Sequence, residues 1–121
     1  MRALLTGLAL LIAAAGPSRA ADAMADFDEY DLHSFIILKC HAAQDDSDRA
    51  HLSKADAVRK VALDTLWAQL DKINPARHAE NGKNAETTLA RRSEAHDRFI
   101  QSQVTEYGCD WLDGKGIQQR Q

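Results

Sequence analysis

The chain has 121 residues, with 15 Lys+Arg against 18 Asp+Glu and a formal charge of −3, a length that holds one domain. No basic excess draws it to nucleic acid or to an anionic membrane surface. Six glycines and two prolines are too few for a sandwich of many short turns, so an all-α fold is expected.

Residues 1–23 read as a secretory signal peptide and 24–121 as a single helical domain. Arg2 supplies a positive start, Leu4 to Ala15 is apolar apart from Thr6 and Gly7, and Gly16-Pro17 breaks the run. That run is too short for a bilayer core, which needs about 20 residues. Ser18-Arg19-Ala20 and Ala21-Asp22-Ala23 both place small residues at −3 and −1, so cleavage after Ala20 or after Ala23 fits equally. Removing 1–20 takes Arg2 and Arg19 and no acid, which moves the charge from −3 to −5; a cut after Ala23 also takes Asp22 and leaves −4. The expected location is the periplasm, with no membrane association once the leader is gone.

The first helix is expected to begin near Asp28 or Asp31 and to run to Gln44. Leu32, Phe35, Ile36, Cys40 and Ala43 recur at helical spacing, and Ile37 and Leu38 widen the apolar arc, which predicts the most buried helix of the fold. Asp45-Asp46-Ser47-Asp48 reads as a solvated turn. It is not a calcium loop: counted from Asp46, His51 stands where the loop needs Gly and Ala57 where it needs Glu.

The second helix is predicted from Ser53, with Asp56 three residues on in the manner of a capping box, to Ile73. Val58, Val61, Ala62, Thr65, Leu66, Leu70 and Ile73 form its apolar stripe. Trp67 flanks the stripe, either packed at its margin or exposed as an anchor for a partner.

Asn74 to Asn84, NPARHAENGKN, gathers the turn-forming residues. Asn74 before Pro75 is pushed from helical angles, and Asn81-Gly82 suits a tight turn. Connections in helical bundles usually span about 2–8 residues, and a longer one is either a tolerated insertion or a place where binding resides. His78, Asn81, Gly82 and Asn84 are the candidate contact residues on that ground.

The third helix is predicted from Ala85 to Tyr107, with Leu89, Ser93, His96, Ile100, Val104 and Tyr107 on one face and Phe99 beside it. Gly108 ends it, and Asp110-Trp111-Leu112 adds a short turn or helix in which Trp111 is expected to cover the neighbouring cysteine. His96 reads as a hydrogen-bonded core residue. No G-x-S-x-G or H-E-x-x-H pattern accompanies it, and none of the five histidines forms an i,i+4 pair suited to a metal. Neither an enzyme nor a cofactor is expected; Cys40-His41 lacks the first cysteine of a haem attachment site, since Ile37 stands there.

In an oxidising compartment Cys40 and Cys109, with no third cysteine, make one disulfide in the simplest reading. It closes a loop of about 70 residues, for which chain entropy gives roughly 4 kcal/mol. The expected architecture is a small bundle of three main helices plus a short C-terminal turn or helix, closed by one disulfide.

Leu32-His33-Ser34-Phe35-Ile36-Ile37-Leu38-Lys39-Cys40-His41-Ala42, an alanine-rich amphipathic helix, and then Tyr107-Gly108-Cys109-Asp110-Trp111-Leu112-Asp113 resemble the frame of the type VI secretion amidase immunity proteins. Two departures stand against it: Asp110-Trp111-Leu112 replaces a Cys-Ile-Asp-Leu-like sequence, and no glycine-rich stretch precedes Cys109. The resemblance implies a periplasmic protein that binds a secreted peptidoglycan amidase, occludes its Cys-His cleft with a protruding loop, often as a homodimer, and so neutralises the toxin for the producing cell. Two other classes also fit the sequence: a periplasmic acid-stress chaperone, and a lysozyme-inhibitor-like binding protein.

Overall fold

The computed structural model describes residues 20–42 and 45–112. The apolar run of the expected leader, Ala43, Gln44 and the Gly114-Lys115-Gly116 tail lie outside these. Every regular element among the described residues is helical: α1 over 20–36, a wide π-type turn at Ile37–His41, α2 at Asp46–Ile73, a 3₁₀ turn at Pro75–Arg77, α3 at His78–Tyr107 and a short α4 at Cys109–Trp111. The expected three main helices with a short C-terminal helix are present, and so is the Cys40–Cys109 disulfide, with Cα atoms 5.6 Å apart.

Three boundaries differ from the sequence reading. Helix α1 is already formed at residue 20, a turn or more before Asp28, because Ala23, Met24 and Phe27 continue its apolar stripe upstream and pack with Val58, Ala62, Leu63 and Leu89. It gives way to the π-type turn at Ile37, where the N–H of Ala42, in the left-handed conformation, donates to the Ile37 carbonyl. This wider turn leaves Leu38 56 % exposed, so the apolar arc is not buried all round.

Helix α2 starts seven residues before Ser53. The Asp45 carboxylate accepts from the Asp48 N–H at 2.8 Å, and Asp46 and Asp48 occupy the first turn, where the helix dipole favours negative charge. The acidic run is therefore a helix start and not a turn. Asp48 is itself buried and meets His41 Nδ1 at 3.1 Å.

The third difference concerns the presumed loop. Asn74 leaves helical angles (φ −146°) before Pro75, as expected, but only three 3₁₀ residues follow before α3 begins at His78. The chain from His78 to Asn84 is helix, not an exposed loop.

The core lies where α1 crosses both long helices. One cluster joins Leu32, Ile36, Ile100 and Leu112, with Phe35, Cys40, Phe99, Val104 and Trp111 packed around it. The other joins Phe27, Ala62 and Leu89. The α2 stripe is only partly covered: Ala62 is fully buried, yet Val61 is 58 % and Ile73 77 % exposed. Trp111 stacks on Tyr107 with ring centroids 4.5 Å apart, and it packs on the same cluster as Cys40. Gly108 takes φ 87°, a conformation that strains any side-chain-bearing residue, and so turns Cys109 back onto the end of α1.

Candidate functional site

The four residues predicted to form a binding loop lie instead at the closed end of the α2–α3 hairpin. Asp71, in the last turn of α2, receives Asn81 Nδ2 at 2.9 Å and meets His78 Nδ1 at 2.7 Å. Asn81 Nδ2 also donates to the Asn74 carbonyl at 3.0 Å. The Trp67 indole N–H donates to the His78 carbonyl at 2.9 Å, and its ring stacks on the His78 imidazole with centroids 4.9 Å apart. Trp67 is thus half-buried at the margin of the stripe, the first of its two expected settings.

Gly82 is buried directly beneath that indole. A Cβ at this position would lie 2.4 Å from the Trp67 ring, so the glycine is required by a close approach and not by a turn. Gly82→Ala is expected to destabilise the fold by about 1–3 kcal/mol, the usual effect of overpacking, although alanine favours an unconstrained helix by about 1 kcal/mol. Urea unfolding decides the sign. A stabilised alanine variant would mean that the indole does not rest on Gly82.

His78, Asn81 and Gly82 therefore join two helices, and Asn81 and Gly82 are too buried to be contact residues. Asn84 is exposed on α3, and its carbonyl accepts from Thr88 Oγ1 at 2.8 Å. Sequence spacing held a signal for this: Gly82, Ala85, Leu89, Ser93, His96 and Ile100 form one unbroken run of three- and four-residue steps.

The hydrogen bond from Asn81, assisted by His78, holds the Asp71 carboxyl below its ordinary 3.8. A depressed carboxyl adds stability above its unfolded-state pKa, and the contribution is lost as pH falls through the folded one. Acid titration should therefore release the Asp71–Asn81 tie below about pH 4. In Asp71→Asn the stability difference from the native chain should shrink across that range; an unchanged difference from pH 6 to 3 would contradict the assignment.

A second polar cluster holds α1 on α3. His96 Nδ1 lies 2.7 Å from Asp31 and Nε2 3.2 Å from Asp28, while Arg92 makes a two-pronged contact to Asp28, with Nε at 3.0 Å. The hydrogen bond to Asp28 raises the Arg92 pKa above its ordinary value. The expected hydrogen-bonded His96 is thus found, with carboxylates at both ring nitrogens. A thiol nucleophile is not available beside it, because both cysteines are in the disulfide. Ser34 is occupied as well, its hydroxyl donating to the Tyr30 carbonyl at 2.7 Å.

The remaining histidines gather where α1 meets the start of α2. The His51 ring stacks on Tyr30 with centroids 4.9 Å apart and meets the His33 ring at a tilt, 4.5 Å away. Among the described residues, no group of three or more His, Cys, Asp or Glu is placed to hold a metal ion. No helix there is long and apolar enough to cross a membrane.

The most exposed large apolar side chain among the described residues is at the hairpin end. Packing partners of α1 run to Leu63 on α2 and from Leu89 on α3. Beyond them the two helices continue for about ten residues each, roughly 15 Å, to the Asn74–Arg77 turn. Ile73 protrudes there, and Ala76, Arg77, Ala79, Glu80, Lys83 and Asn84 line an open concavity.

No family model, curated protein or solved structure matches this chain. The site is therefore read from its own geometry.

Proposed function

We propose that the protein is a periplasmic immunity protein that binds a secreted peptidoglycan amidase and blocks its cleft, and that it acts by binding and not by catalysis. The observation that carries this reading is the disulfide-closed helical frame. Cys40, in the turn after α1, is joined to Cys109, just past α3, and these two segments are the ones that resemble the amidase immunity family. A disulfide also suits an oxidising compartment. The most prominent polar clusters, Asp71–His78–Asn81 and Asp28–Asp31–Arg92–His96, are committed to joining helices, which suits a scaffold that presents a surface.

The occluding element is not a loop but the rigid end of the α2–α3 hairpin. Ile73 offers an apolar contact at its tip, and Arg77, Glu80 and Lys83 line the concavity at the same end of the hairpin, so the prong presents an apolar side chain together with charged ones. The Trp67–Gly82 contact and the Asp71–Asn81 bond fix the prong before binding, so little ordering entropy is lost on docking. A homodimer presenting two prongs is the assembly that the family resemblance implies.

The test is a titration of the protein against a small secreted amidase with one Cys and one His at its active site, to be sought in the neighbouring reading frame. Ile73→Asp combined with Lys83→Glu should weaken the complex at least tenfold, about 1.4 kcal/mol, while helicity and melting temperature stay unchanged. Unaltered affinity of this double variant would remove the hairpin end from the interface.

One observation favours a second reading, an acid-stress chaperone. Contacts that hold α1 pair histidines with carboxylates: His96 with Asp28 and Asp31, and His41 with Asp48 at the junction with α2. A chaperone of this kind would release α1 and bare Phe27 and Leu89. Dye binding to apolar surface below about pH 4 would favour that reading, and its absence would leave the inhibitor alone.

A further inference from the structure

Resting on the export reading, we infer that the leader peptidase cuts this chain between Ala20 and Ala21, and not after Ala23. Both positions offer small residues at −3 and −1, and the sequence does not choose between them. The folded product does.

Ala23 is 8 % exposed and faces Val58 and Val61 of α2 across a shallow apolar groove shared with Ala57. Met24 packs against the Phe27, Ala62 and Leu89 cluster. A cut after Ala23 would remove a buried methyl group and turn Met24 into the terminal residue, placing a strongly hydrated ammonium against apolar side chains. It would also put fully buried Phe27 within the first helical turn, where backbone N–H groups have no partner inside the helix.

A cut after Ala20 costs none of this. Ala21 and Asp22 are both exposed, so the new ammonium is in water. Phe27 stays nearly two turns into α1, and Asp22 is kept at the helix start, where negative charge is favourable. The cleavage is a hydrolysis: water adds across the Ala20–Ala21 amide, leaving a carboxylate on Ala20 and an amine on Ala21. The mature protein is then 21–121, with a formal charge of −5 after the loss of Arg2 and Arg19.

Expression of the full chain with its leader, followed by N-terminal sequencing and intact mass of the periplasmic protein, tests this. A start at Ala21 is expected. A start at Met24, or anywhere else in the exported protein, overturns the inference and leaves export standing. A cytoplasmic protein that keeps its leader overturns the export reading and this inference with it. As an independent check, 24–121 should melt below 21–121 by on the order of 5 °C, and equal melting temperatures would also overturn it.

Discussion

Replacing Cys40 and Cys109 together with serine is expected to lower the melting temperature by on the order of 15 °C, the equivalent of about 3 kcal/mol for a domain of this size. The bridge joins residues 69 apart and ties the turn after α1 to the segment beyond α3. Its weight comes from the thinness of the core. Among the described residues the largest fully buried side chains are Phe27, Ile36, Ile37, Leu89 and Ile100. Helix α2, 28 residues long, buries only Asp48 and Ala62. Without the bridge the end of α3 and the segment past it hold the end of α1 mainly through Leu32, Ile36, Ile100 and Leu112, a small cluster for the entropy it must offset. Thermal unfolding followed by circular dichroism measures the shift, and a drop under about 3 °C would mean that this cluster suffices.

Phe27→Ala is the second large effect, at about 3–5 kcal/mol. Phe27 is 1 % exposed and fills the space between Ala62 and Leu89, both fully buried. Its ring also lies 5.9 Å from that of His96, beside the cluster that links α1 to α3. The two neighbours cannot close the gap, since one is already alanine and the other is held on α3. Urea unfolding should show a midpoint shift of that size, whereas less than about 1 kcal/mol would mean that α1 repacks. Phe27→Leu should recover more than half of the loss.

What the sequence conveyed follows from which signals are local. The α3 stripe from Leu89 to Val104 and the stop at Gly108 depend on spacing and on one glycine, and both were legible. The pairing of Cys40 with Cys109 followed from there being two cysteines. A helix start near Asp28 or Asp31 leaves Phe27 outside, whereas Asp28 and Asp31 serve His96 and Arg92 from the helix interior. That role depends on a residue 65 positions away, which no local pattern discloses. Asp45-Asp46-Ser47-Asp48 reads as a turn because the same carboxylates that end one helix begin the next.

The hairpin end was the largest departure, and it shows how composition misleads. Asn81-Gly82 carries turn chemistry, but Gly82 serves to admit the Trp67 ring, and Asn81 spends its amide on Asp71 and Asn74. Both needs arise from α2, so a residue-by-residue reading of the stretch finds a loop where the tertiary contact makes a helix. The correction changes what kind of contact surface is available. A flexible loop would order on binding, whereas this prong is already ordered.

The proposed function is neutralisation of a peptidoglycan amidase by direct occlusion. The most direct measurement is amide-bond hydrolysis of isolated peptidoglycan by a small secreted Cys-His amidase, with increasing amounts of the mature, oxidised protein. Direct occlusion gives a stoichiometric fall of activity to background, which Ile73→Asp with Lys83→Glu prevents. Full amidase activity at a several-fold excess of folded protein would contradict it.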